Sequence, residues 1–165
     1  MKCLVFSDSH GSSLLMKRAL GMHPDAEVVF FLGDGLYEAQ ELSKEYKGIF
    51  WVFVRGNCDT GASFYMNDVK KCETVRLMGY TVTATHGDLY GAKYGSGGLI
   101  RLAEESGSDI ILYGHTHLPR CETVAREENN IYLFNPGSIS VSSGSYGVLI
   151  LDKYPLFSHG TLRQY

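Results

Sequence analysis

Leu4-Val5-Phe6-Ser7-Asp8-Ser9-His10 decides the fold: a short apolar run breaks, with no linker, into an aspartate and a histidine two residues apart. The β-branched and aromatic residues before the break predict a strand over Lys2–Ser7. The same transition recurs four times. Val28–Leu32 runs into Gly33-Asp34, and Trp51–Val54 into Arg55-Gly56-Asn57-Cys58-Asp59. Val82–Thr85 runs into His86-Gly87-Asp88, and Ile110–Tyr113 into Gly114-His115-Thr116-His117. In open α/β sheets, ligands bind beyond the carboxyl ends of the strands. Five strands sharing a direction therefore bring these loops to one site, where neighbouring glycines let the backbone turn sharply.

Helical spacing fills the intervals. Ser12 or Ser13 is placed to cap a helix through about Leu20, with Gly21 as its stop. Leu36, Ala39, Leu42 and Tyr46 form a second stripe closed by Gly48, and Leu99, Leu102, Ala103 and Ser106 a third ended by Gly107. Ile49–Val54 is apolar throughout, the pattern of a strand buried on both faces. The later half reads as hairpins: Cys72–Leu77 and Tyr80–Thr85 about Met78-Gly79, then Arg120–Glu127 and Ile131–Phe134 about Asn129-Asn130. Tyr146–Leu151 is a further strand, and Pro155 predicts an edge or an irregular tail. The sum is an α/β chain with a mixed sheet or two sheets, with residues 1–165 expected to form one domain.

Composition sets outer limits. Of 165 residues, 44% are hydrophobic and 20% charged. Such a chain buries roughly 70% of its unfolded surface and needs no metal or disulfide merely to fold. A formal charge of -3, from 15 basic and 18 acidic residues, leaves no electrostatic footprint for duplex nucleic acid or an anionic membrane. The longest apolar run, Ile49–Val54, falls far short of the roughly 20 residues of a membrane span. No signal peptide is visible, and Cys3, Cys58, Cys72 and Cys121 make no CxxC pair. The expectation is reduced thiols in a cytoplasmic protein.

The five loops supply Asp8, His10, Asp34, Asn57, His86, His115 and His117, and of six histidines only His23 and His159 lie elsewhere. Histidine and carboxylate without thiolate suit Mn, Fe, Co, Ni or Zn. Seven ligands exceed one tetrahedral ion. They suit two ions that share a carboxylate and keep positions open for water and substrate. Two divalent ions, less the charges of Asp8, Asp34 and a bridging hydroxide, remain positive, so the centre favours an anion and stabilises charge building on phosphoryl oxygens. Singly, each loop is ordinary: a strand-end aspartate is commonly a cap, and Gly56-Asn57 reads as a turn. All five in order, each after a strand, form a specific pattern.

These residues resemble the calcineurin-like metallophosphoesterase superfamily, whose pattern is D-x-H, G-D, G-N-H-D/E, H and G-H-x-H. Asp8-Ser9-His10, Gly33-Asp34, Gly56-Asn57-Cys58-Asp59, His86 and Gly114-His115-Thr116-His117 match it with one exception, over about Met1 to Leu151. The short length and Asn135-Pro136-Gly137-Ser138 are similar to the small prokaryotic YfcE-like phosphodiesterases. The resemblance implies a four-layer α/β/β/α sandwich of two mixed sheets flanked by helices. It also implies a phosphodiesterase with two divalent ions, often manganese, acting on small anionic phosphodiesters. Carried over residue by residue, Asp8, His10 and His117 hold the first ion, Asn57, His86 and His115 the second, and Asp34 bridges both. A metal-bridging hydroxide then attacks phosphorus, with Asp34, Asn57 and His117 at the reaction centre.

Two positions depart from the pattern. Cys58 stands where the wider superfamily has a histidine on the leaving-group side. A thiol is a weak donor, which predicts weak general-acid help and a preference for diesters with good leaving groups; the alternative is an inert buried thiol. Asp88 stands where related sequences have histidine, and is either an acceptor orienting a ligand or a solvated loop carboxylate. Asp59 either orients a neighbour of Asn57 or caps a turn. The loop Leu89–Gly98, with Tyr90, Lys93 and Tyr94, and the segment Thr60–Lys71 are candidate rims of the pocket. Two other functions remain open: a protein-binding scaffold on the same fold, as in the retromer subunit that resembles this superfamily, and a phosphomonoesterase.

Overall fold

The computed structural model describes residues 1–60, 68–127 and 129–162. The first half alternates strand and helix: β1 (Lys2–Phe6), α1 (Leu14–Met22), β2 (Val28–Phe31), α2 (Leu36–Ser43) and β3 (Phe50–Phe53). The second half is hairpin-rich: β4 (Cys72–Leu77), β5 (Tyr80–Thr85), α3 (Gly97–Ser106), β6 (Ile110–Tyr113), β7 (Pro119–Val124), β8 (Ile131–Pro136), β9 (Ser145–Ile150) and β10 (Leu156–Thr161). They form two five-stranded sheets, in the orders β10-β9-β1-β2-β3 and β4-β5-β6-β8-β7. The runs β1-β2-β3 and β5-β6-β8 are parallel, while the flanking pairs β1-β9, β9-β10, β4-β5 and β7-β8 are antiparallel. Both sheets are thus mixed.

The strand period of two decides the layering. Cys3, Val5, Val28 and Phe30 turn one way and meet Val82, Ala84, Ile110 and Leu112 of the other sheet in a shared core. Leu4, Phe6, Val29 and Phe31 turn the other way, onto Leu15, Met16 and Ala19 of α1 and Leu36, Ala39 and Leu42 of α2. Ile111, Tyr113 and Leu133 carry Leu99, Leu102 and Ala103 of α3. The result is the four-layer α/β/β/α sandwich. Each fully buried Leu, Val or Phe contributes about 1.5–3 kcal/mol. Among the described residues, no helix is long and apolar enough to cross a membrane.

Several expectations are corrected. β3 is an edge strand and is not buried on both faces: Phe50 is 56% exposed, and only Val52 joins the core between the sheets. Trp51 and Phe53 stack at 5.6 Å against the helix-side core instead. An unbroken apolar run does not distinguish a central strand from an edge strand whose outer face is covered by its own aromatic rings. Gly21 does not stop α1, which continues through it to Met22. The stop is His23, whose amide bonds the Leu20 carbonyl and whose backbone the following Pro24 keeps out of helix. Ser13 occupies the N-cap position without a side-chain capping bond. α2 ends at Ser43, before Gly48, although Tyr46 still packs on the same core. Of the two outcomes that Pro155 predicts, the edge is the one found: β10 pairs with β9 at the border of the sheet.

Candidate metal centre

The loops after β1, β2, β3, β5 and β6 meet at one end of the sandwich, tied by backbone bonds. The Asp8 amide donates to the Gly33 carbonyl at 2.9 Å and the His10 amide to the Asp34 carbonyl at 3.1 Å. The Gly114 amide donates to the His86 carbonyl at 3.0 Å. The loops after β2 and β3 pack so tightly that a Cβ on Gly56 would lie 2.1 Å from Asp34 Oδ1, so only glycine fits there.

Asp8 is fully buried. Its Oδ2 accepts the Ser7 hydroxyl at 2.6 Å and the His115 amide at 3.1 Å. Its Oδ1 is buried with no hydrogen-bond partner, 3.1 Å from His117 Nε2. The Nε2 atoms of His10 and His117 lie 3.3 Å apart. Across the centre, Asp34 Oδ2 and Asn57 Oδ1 lie 3.4 and 3.1 Å from His86 Nε2. His86 Nδ1 donates to the Leu32 carbonyl at 2.7 Å, which turns Nε2 inward. A neutral His86 would therefore aim a lone pair at two acceptors. Only a proton or a cation reconciles them.

The titration behaviour follows. Burial raises the Asp34 carboxyl, but the bond and charge of His86, aided by the Cys58 amide, outweigh it and hold Asp34 well below the usual carboxylate range. Burial lowers His86, but Asp34 and Asp8 outweigh it and raise the imidazole. His115 is lowered by burial, with the charges of His86 and Lys93 adding to it.

Two sets of donors lie within 4.8 Å of one another: Asp8, His10 and His117, and Asp8, Asp34 and His86. Among His, Cys, Asp and Glu donors, Asp8 is common to both sets and Asp34 falls in one of them. Asn57 reaches the second set through His86. His115 stands edge-on to His86, with ring centroids 5.0 Å apart, and belongs to neither set. The donor chemistry fits divalent cations: carboxylates, imidazoles and an amide oxygen converge, with one buried carboxylate oxygen unsatisfied.

The backbone separates this arrangement from ordinary caps. Asp8, His10, Asp34, His115 and His117 all have positive φ, between 47° and 66°. The one other such non-glycine among the described residues is Met78, in the β4–β5 turn. Left-handed backbone costs an L-residue roughly 1–2 kcal/mol, and its concentration at five of the seven expected ligands marks a functional constraint.

Sequence reasoning finds the supporting residues only in part. Asp59 both caps a helix and orients the site: its oxygens accept the amides of Asp34, Gly35, Leu36 and Gly56 at 2.8–2.9 Å. It misses the roles of Ser7, Ser138 and Asn135; Ser138 donates to the Asp8 carbonyl and Asn135 to the Gly114 carbonyl, each at 2.8 Å. Asn135, near the end of β8, and Ser138, just past it, sit at a sixth apolar-to-polar transition, which is the readable signal. It also misses Lys71, whose amine bonds the Gly56 carbonyl at 3.1 Å and pairs with Asp88 at 3.3 Å. Asp88 is accordingly no solvated carboxylate: its side chain is 15% exposed. Cys58 is exposed, which removes the buried-thiol alternative. Its thiol is raised by a bond to Asp34, with burial adding to the effect. In the loop Leu89–Gly98, Tyr94 is exposed and the charge of Lys93 is felt at His115. Of the segment Thr60–Lys71, residues 61–67 lie outside the described residues.

A family model, the calcineurin-like phosphoesterase superfamily domain, matches residues 1–153. The chain is 30% identical to phosphodiesterase YfcE of Escherichia coli, over 92% of this chain and 89% of that protein. It is 29% identical to the probable metallophosphoesterase YsnB of Bacillus subtilis, over 93% of this chain and 86% of that one. The crystal structure of a conserved uncharacterized protein from Streptococcus pneumoniae, a predicted phosphoesterase, superposes with a TM-score of 0.74 at 28% identity, covering 97% of this chain and 88% of that one.

Proposed function

The chain belongs to the calcineurin-like phosphoesterase superfamily and is a hydrolase acting on phosphoester bonds, and from that premise we propose that it is a phosphodiesterase that cleaves small anionic diesters at two divalent ions. Asp8, His10 and His117 hold the first ion, Asn57, His86 and His115 the second, and Asp34 lies between them. Manganese is the proposed metal, with Fe, Ni, Co and Zn within the reach of the same donors. When bound, the ions supply a hydroxide nucleophile near neutral pH and offset charge on the phosphoryl oxygens. The observation that carries the reading is the fully buried Asp8 carboxylate, common to both donor sets and with Oδ1 lacking a hydrogen bond.

The chain's own groups account for the preference for diesters. The Leu32 carbonyl takes the Nδ1 proton of His86 and leaves Nε2 free as a ligand. Asn57 is turned with its oxygen to His86 and its amide to Cys58 Sγ, at 3.2 Å. Cys58 keeps its proton beside Asp34 but donates weakly, so a leaving group departs largely without protonation. Activated diesters satisfy that demand and alkyl monoesters do not.

The test compares bis(p-nitrophenyl) phosphate with p-nitrophenyl phosphate, using protein purified without chelator, assayed for bound metal and supplied with manganese. Turnover of the diester, abolished in Asp34→Asn, is expected. Two bound ions with no turnover of either ester would identify a binding scaffold. Preference for the monoester would identify a phosphomonoesterase.

A further inference from the structure

A cavity of about 330 Å³ opens beside the ligand cluster, with His10, Asp34, Tyr37, Glu38, Cys58 and Asp59 in its wall. Most of its polar groups are already engaged. Asp59 spends both oxygens on four backbone amides. Glu38 Oε1 accepts the Ser9 hydroxyl and the Gly11 amide. Asp34 faces His86 and the Cys58 amide. Cys58 Sγ accepts the Asn57 amide at 3.2 Å. The wall also presents Thr60 and the Tyr37 ring. Tyr37 is 60% exposed, and among the described residues nothing bonds its hydroxyl.

The backbone that carries the ring is held in place. It lies in the first turn of α2, next to Leu36, whose side chain is fully buried and whose amide Asp59 holds. The same Asp59 carboxylate holds the amides of Asp34 and Gly56, so the first turn of α2 and the ligand loops share one backbone frame. The wall is acidic, which disfavours a second phosphate, while an exposed aromatic face favours a planar uncharged ring.

We infer that this cavity is a subsite for one ester substituent of the diester, and that Tyr37 selects a planar aromatic group there, either an aryl ring or a nucleobase. The inference rests on the phosphodiesterase reading of the adjoining centre. Stacking on a protein aromatic typically changes affinity by about tenfold or more per ring.

Calorimetry on the manganese-loaded chain tests it with slowly hydrolysed ligands, diphenyl phosphate against dimethyl phosphate. Wild type is expected to bind the aromatic diester about tenfold more tightly. Tyr37→Leu should erase the preference, and Tyr37→Trp should keep it. The methyl diester of thymidine 5′-phosphate separates the two sources: tighter binding than diphenyl phosphate assigns the subsite to a nucleobase, weaker binding to an aryl ring. Equal binding of the aromatic and dimethyl diesters by wild type, or an intact preference in Tyr37→Leu, overturns the inference. Turnover of bis(p-nitrophenyl) phosphate in the same preparation keeps the two failures apart. A Tyr37-dependent preference without turnover overturns the phosphodiesterase reading and upholds the subsite; turnover without the preference overturns the subsite alone.

Discussion

Asp59 belongs to neither donor set, yet four amides from two loops and a helix end converge on it. Asp59→Ala leaves buried N–H groups without an acceptor. A hydrogen bond to a charged partner is worth about 1.5–3 kcal/mol, so urea unfolding of the variant should show a loss of about 3 kcal/mol or more, with part recovered in Asp59→Asn. The Asp34–His86 pair makes a second prediction, for metal-free protein. His86 is raised in the fold, so its stabilisation is present below its ordinary pKa of about 6.5 and is lost as pH climbs through the raised value. Asp34 is depressed, so its stabilisation is present above its ordinary pKa of about 3.9 and is lost as pH falls toward the depressed value. The pair therefore contributes most between about pH 4 and 6.5. Thermal melts of chelator-treated protein from pH 4 to 8 should show this maximum flattened in Asp34→Asn, and added manganese should restore stability at the alkaline end by replacing the proton on His86.

At the scale of elements, the strand-end loops are readable because each places an uncommon polar residue directly after an apolar run. Their left-handed turns are not, because residue type alone does not demand positive φ at an aspartate or a histidine. Helix ends are the less secure reading. Gly21 sits inside α1, exposed, and a methyl group added to it would meet nothing within 4 Å. Gly21→Ala should therefore stabilise the protein by about 0.5–1 kcal/mol, through lower backbone entropy in the unfolded chain. A rise in the urea midpoint at constant slope would show it; a fall would mean that the glycine serves a contact outside the described residues.

At the scale of the whole molecule, the two sheets enclose a core that water does not reach. Cys3 lies in it, and burial pushes its thiol up to about 12. Cys58 and Cys121 are exposed but their thiols are raised, so treated with iodoacetamide at pH 8 and read by mass spectrometry the native protein should be alkylated there slowly, and at Cys3 only after unfolding in urea. Labelling of native Cys3 would mean that the sheets part readily. By itself, the sequence determined the α/β character, the three α-helices found among the described residues and the seven residues expected at the centre, since periodicity and the strand-to-polar transitions are local properties. Only the tertiary structure decided that β3 lies at an edge, that Asp8 is shared by two donor sets, that Lys71 pairs with Asp88, and that Tyr37 lines a cavity beside the ligand cluster. Each of these depends on which distant segments become neighbours, and that is settled by how two sheets pack face to face, not by the order of residues within either one.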